Sequence, residues 1–218
     1  MAVHMKMNKG RGHIRIILES MDKLIIGVDE AGRGALAGPV CVGAVLMSEN
    51  FDWREVFGLI TKRGEPKLRD SKQLSAQKRI ILYEYITAHP SLKFAAGLVD
   101  ARTIDSIGIA PATRQAALAA VLGLGVANTD ASVLLDAGLS LPKEWRQESF
   151  VRGDETIPVI SLASMIAKVT RDRYMEGLAT SQAGYGFEVH KGYGTAAHMK
   201  TIREKGVSPE HRRSFVHI

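Results

Sequence analysis

The stretch Gly27-Val28-Asp29-Glu30-Ala31-Gly32-Arg33-Gly34 carries two adjacent carboxylates out of an apolar run and into a glycine-rich turn that holds one arginine. Upstream, Leu24-Ile25-Ile26 reads as the start of a buried strand, and downstream Pro39 to Met47 reads as the next one. Aspartate and glutamate are poor strand formers and costly to bury, so a pair at this place calls for a compensating cation. Adjacent strand residues point to opposite faces, so the two carboxylates would meet such a cation differently. The bare glycines let backbone N–H groups come close to a ligand. These features together suggest a metal ion beside a sugar-phosphate chain.

The same turn excludes a dinucleotide-binding fingerprint. Gly32-Arg33-Gly34 to Gly38 has the wrong final spacing, and Pro39 with a β-branched run follows where a helix would be needed. Further along, Ser48 to Lys72 reads as a polar connection, and Ser75 as the N-cap of a helix from Ala76 to about His89, stopped by Pro90. Leu92 to Val99 suits a third strand. Pro111 opens an alanine-rich helix that closes at Leu122 and Gly123. Ser132 to Leu135 is a short buried strand ending at Asp136, and Gln147 to Val151 a further strand leading to Gly153-Asp154. A long helix from Pro158 to about Leu178 and a final one from Ala196 to Glu204 complete the order. That order predicts an α/β protein, a mixed sheet with helices on its faces. Residues 1–22 read as a basic, flexible extension, 23–183 as the core, and 184–218, rich in Gly, His, Lys and Tyr, as a helical segment completing a groove.

Asp136 ends a hydrophobic strand as Asp29 does, and Asp154 stands just before the long helix. Were Asp29, Glu30, Asp136 and Asp154 to converge within about 5 Å, each like-charged pair would cost about 3 kcal/mol at an effective dielectric near 20. A domain has only about 5–15 kcal/mol of net stability, so a divalent cation or a raised pKa must relieve the repulsion. Oxygen-only ligands select a hard ion, Mg²⁺ or Mn²⁺ rather than Zn²⁺, and the histidines and the single Cys41 show no zinc spacing. Such an ion polarises a phosphoryl oxygen and holds a water for phosphodiester hydrolysis. A formal net charge of +6 over 218 residues suits a polyanionic partner. No stretch reaches the roughly 18 apolar residues of a membrane span, and the first twenty residues lack secretory-signal features. The expectation is a cytoplasmic monomer without a membrane partner.

At this point the residues resemble those of bacterial type 2 ribonuclease H (ribonuclease HII). The resemblance spans nearly all of 24–215. It rests on the opening stretch, Asp70-Ser71-Lys72-Gln73-Leu74-Ser75, Ile104-Asp105-Ser106-Ile107-Gly108-Ile109, Leu135-Asp136, Gly153-Asp154 through Asp172, Tyr185-Gly186-Phe187, and His190-Lys191-Gly192-Tyr193-Gly194-Thr195. It implies a ribonuclease H-like fold, cleavage of the RNA strand of RNA·DNA hybrids, and cutting on the 5′ side of single ribonucleotides in duplex DNA. It also implies Asp29, Glu30, Asp136 and Asp154 as the catalytic, metal-holding set. Gly32, Arg33 and Gly34 would meet the 2′-hydroxyl that separates RNA from DNA. Tyr193 would pack on the sugar after the cleavable junction. Ser71 and Lys72 are expected to bind backbone phosphate, as are Ser164 and Lys168, four apart on one helix face. Lys191, Lys200, Arg203, Lys205, Arg212 and Arg213 suggest a duplex track, with His190, His198 and His211 in phosphate contact or on the surface. The chain departs from the family pattern in having Ala137-Gly138 where Gly-Asn is usual, and Arg152 where lysine is usual. Rival readings are a non-catalytic nucleic-acid-binding domain and another metal nuclease of the same fold class.

Overall fold

The computed structural model describes residues 23–61, 64, 68 and 73–217. The extension expected over 1–22 and the phosphate contacts expected of Ser71 and Lys72 fall outside these residues. The described elements run β1 (Leu24–Ala31), β2 (Val40–Ser48), α1 (Trp53–Gly58), α2 (Ala76–Ala88), β3 (Lys93–Val99), α3 (Ala101–Ile107), α4 (Ile109–Leu122), β4 (Ala131–Asp136), β5 (Gln147–Phe150), α5 (Gly153–Thr156), α6 (Pro158–Ser181), α7 (Phe187–His190) and α8 (Ala196–Lys205). The strands form one sheet in the order β3-β2-β1-β4-β5. Pairing is antiparallel from β3 to β1 and parallel from β1 to β5. The sheet is mixed, as the element order requires.

Strand alternation divides the core in two. Ile26, Val28, Val42, Ala44, Val133 and Leu135 pack with Ile104 and the alanine face of α4. Val45 and Met47 turn to the other side, toward Phe57, Leu82, Ile86 and the apolar stripe of α6. Two glycines bring α6 down onto that side. A Cβ at Gly27 would lie 2.2 Å from the Val159 carbonyl oxygen, and one at Gly43 2.4 Å from that of Ala163. The backbone of a 24-residue helix therefore lies directly on the two central strands.

Four short helices, α1, α3, α5 and α7, occupy stretches that carry too few periodic residues to announce themselves. The first two are held by side-chain caps: Asp52 accepts from the Arg54 N–H, and Asp100 from the Thr103 N–H at 2.7 Å. Helix α4 begins at Ile109, two residues before the proline expected to open it.

The C-terminal segment is tied down by an aromatic cluster in which Phe187, His198 and His211 are buried. Two of the histidines expected in phosphate contact or on the surface, His198 and His211, are interior and form a hydrogen-bonded chain. The Ser208 N–H donates to Nδ1 of His211 at 2.9 Å, the two histidines share an Nε2 to Nε2 bond of 3.0 Å, and Nδ1 of His198 meets the Tyr193 carbonyl at 2.9 Å. This order leaves His211 donating through Nε2 and His198 through Nδ1, both rings neutral. Burial, reinforced by the adjacent His198, pulls His211 from the ordinary 6.5 down to about 4.

Replacing Gly43 by alanine is expected to destabilise the protein by about 1–3 kcal/mol or more in urea denaturation, because the clash is with backbone. The contribution of His211 is complete above pH 6.5 and is lost as pH falls toward 4, on the order of 2 kcal/mol by pH 5. Hydrogen exchange, corrected for intrinsic rates, should show α8 losing protection over that interval before β1 and β4 do.

Candidate active site

The parallel pairing of β1 with β4 matches Val28 to Leu135, so the next residue of each strand, Asp29 and Asp136, emerges beside the other. Asp29 is only 4% exposed, and its carboxylate accepts from the Glu30 N–H at 2.7 Å. Glu30 points to the other face, as alternation demands, yet one oxygen from each of Asp29, Glu30 and Asp136 falls within 4.8 Å of the other two. Asp136 Oδ1 also accepts from the Gly153 N–H at 2.8 Å, which fastens the end of β4 to the start of α5. The buried Asp154 follows immediately. It lies in α5, outside the 4.8 Å trio, but its charge still reaches Asp29.

Burial holds the Asp29 carboxyl well above the usual carboxylate range; Glu30, then Asp136, and less strongly Asp154 push it further in the same direction. An all-oxygen donor set whose buried member, Asp29, resists ionisation without a cation fits a hard divalent ion. The Ala137-Gly138 departure leaves the cluster intact. Gly138, at φ +90°, makes room for Arg33: a Cβ there would lie 2.6 Å from the guanidinium Nη1. That guanidinium is in turn 3.6 Å from Glu30. Arg152 is an exposed residue in left-handed conformation, φ 54°, at the N-cap of α5.

Beside the acids lies an open cavity of about 570 Å³ lined by Glu30, Ala31, Gly32, Arg33, Gly34, Arg79, Lys168 and Tyr193. It thus joins the acidic cluster to five of the residues expected to contact substrate. Gly34 faces open space. Gly32, by contrast, is bare for an interior reason: at φ +83° it packs on Arg171, where a Cβ would lie 1.8 Å from Nε. Tyr193 is 37% exposed, with the Arg171 guanidinium 5.3 Å and the Lys168 ammonium 5.8 Å from its ring centre. Lys168 is bonded to Asp172 at 2.7 Å, and Ser164, one turn back, is buried. Arg79, in the first turn of α2, is a cavity residue that the sequence reading missed. Its position one turn after the Ser75 cap was the available signal.

The basic residues of the expected C-terminal duplex track differ in exposure. Arg212 is fully buried, Lys191 is bonded to Glu176 and to the Glu188 carbonyl, and Lys205 caps the Gly184 carbonyl. Lys200, Arg203, Lys205 and Arg213 are exposed.

The family model described as Ribonuclease HII matches residues 26–218. The chain belongs to the ribonuclease HII family. A ribonuclease HII of Dehalococcoides mccartyi is 46% identical over 88% of this chain and 85% of its own. One from Bacillus mycoides is 43% identical over 89% of this chain and 69% of its own. In structure, a ribonuclease HII from Archaeoglobus fulgidus, solved in complex with PCNA, superposes with a TM-score of 0.69 over 89% of this chain and 96% of its own, at 21% identity. That likeness establishes a shared fold. Membership in the ribonuclease HII family makes the chain a ribonuclease and a phosphodiester hydrolase, and no described helix is long and apolar enough to cross a membrane.

The raised Asp29 pKa means that its ionisation opposes folding: metal-free protein loses stability as pH rises from the ordinary carboxylate range through the raised value. Asp29→Asn should therefore raise the melting temperature of metal-free protein at pH 8 and flatten its pH dependence. Added Mn²⁺ should stabilise the native chain and leave the variant nearly unchanged, as read by calorimetry.

Proposed function

We propose that this enzyme hydrolyses the RNA strand of RNA·DNA hybrids and cuts on the 5′ side of single ribonucleotides embedded in duplex DNA, leaving 3′-hydroxyl and 5′-phosphate ends. Family membership supports the first activity. The second is supported by one observation: the Gly32-Arg33-Gly34 turn shares a cavity with an accessible tyrosine and with Glu30, which also belongs to the acidic trio.

Asp29, Glu30, Asp136 and Asp154 would hold Mg²⁺ or Mn²⁺. Once bound, a hard divalent ion neutralises the clustered charge and polarises the scissile phosphodiester. The remaining work falls to the protein. The turn presents backbone N–H groups and Arg33 to a ribose 2′-hydroxyl, the group that separates RNA from DNA. The Tyr193 ring offers a flat face to the following sugar and leaves no room there for an additional hydroxyl. Lys168 and Arg79, from opposite elements, supply positive charge for the backbone, and Ser71, Lys72 and Ser164 are assigned to the same task.

A duplex carrying one ribonucleotide, incubated with Mg²⁺ or Mn²⁺, should be cut on the 5′ side of that nucleotide, and its all-DNA counterpart should stay intact. An uncut strand at high enzyme concentration overturns the reading. Asp136→Asn should reduce turnover by more than the roughly 10–100-fold that outer-shell losses cost at metal sites, with duplex affinity nearly unchanged in a gel-shift titration.

A further inference from the structure

We propose that Arg171 is a positioning residue that sets the spacing between the ribose-reading turn and Tyr193, and thereby determines how strongly the enzyme favours an RNA-to-DNA step over continuous RNA. The inference rests on the reading of those two elements given above. Arg171 is fully buried in α6. Its hydrogen bonds among the described residues all go to backbone carbonyls: Nε donates to Pro39 at 2.8 Å, Nη2 to Ala37 at 3.1 Å, and Nη1 to Lys191 at 2.8 Å. Two of these acceptors close the loop that begins at Gly32, and the third lies two residues before Tyr193. The same side chain supports Gly32 from beneath and places its guanidinium at 5.3 Å from the tyrosine ring. One rigid fork therefore touches the entry of the turn, its exit and the aromatic beside it.

The backbones on either side are in contact as well. The Leu36 and Ala37 N–H groups both donate to the Gly192 carbonyl, at 2.8 and 3.2 Å. A Cβ at Gly192 would lie 2.4 Å from the Ala37 carbonyl oxygen, so the two segments can come this close only at glycine. From the far side, Arg212 donates to the carbonyls of Arg33 and Gly38 at 2.9 and 3.0 Å, and Asp105 anchors the following residues through the Arg213 and Ser214 N–H groups. The side-chain hydrogen bonds of Arg212 thus go to the turn, whereas those of Arg171 reach carbonyls on both sides of the junction. A lysine would keep the charge but offer a single compact ammonium to three carbonyls arranged for a planar fork.

The test compares kcat/KM on a duplex with one ribonucleotide and on a uniform RNA·DNA hybrid, for native enzyme and Arg171→Lys. The single-ribonucleotide value should fall about tenfold or more, the scale that sub-ångström to ångström misplacement costs, while the hybrid value falls by no more than about threefold. In a Tyr193→Ala background, Arg171→Lys should leave the ratio of the two substrates unchanged, because the spacing then has nothing to act on. Equal losses on both substrates, an unchanged ratio in the single variant, or a ratio change that persists without the tyrosine would each overturn the proposal. Should Arg171→Lys not fold, Gly192→Ala strains the same junction from the other side. It should shift the ratio likewise, and a folded Gly192→Ala with native selectivity counts against the idea. Native enzyme that cuts the hybrid but not the single ribonucleotide would instead overturn the junction-cutting reading itself, and the inference with it.

Discussion

Like charges held side by side are the constraint on which this molecule turns. Parallel pairing of two adjacent strands brings Asp29 and Asp136 out at the same end of the sheet, and the residue after Asp29 adds a third carboxylate. The protein opposes that repulsion with what surrounds it: an amide bond from Glu30 to Asp29, another from Gly153 to Asp136, and Arg33 beside Glu30. None of these neutralises Asp29, whose carboxyl remains far from its ordinary acidity. The site is built for a cation, and the fold around it carries an unfavourable electrostatic term until one arrives.

Much of this was legible in the chain. Asp29 and Asp136 each terminate an apolar run, a pattern with few structural explanations, and the punctuation by Ser75, Gly123 and Pro158 marked the long elements correctly. Which strands would be neighbours was not legible, because pairing depends on contacts far apart in sequence. Short helices escaped for a local reason: α1 and α3 depend on an aspartate cap and a handful of core contacts rather than on a repeating stripe. The buried arginines escaped for the opposite reason. Arg171 lies four residues beyond Ala167 on the very stripe that packs on the sheet, and charge there reads as an exception unless its acceptors are known.

Basic residues accordingly divide into two populations. Arg171 and Arg212 work inward, gripping carbonyls of the turn that follows β1, while Lys168, Arg79 and Arg33 line the open cavity. A net positive charge counted along the sequence mixes these roles. Counted by accessibility, Arg171 and Arg212 drop out, while Lys200, Arg203, Lys205 and Arg213 stay on the surface of the C-terminal segment.

Helix α6 ties the two halves of the site together. It starts four residues after Asp154, lies flat across two glycines, and reaches Arg171 within a single unbroken rod about 36 Å long. An extra residue anywhere between Ser164 and Arg171 would swing the arginine by about 100° around the axis, away from every carbonyl it holds. Length variation must therefore fall outside the interval from Ser164 to Arg171. The interval along α6 behaves as a ruler that cannot be rescaled in steps smaller than whole helical turns.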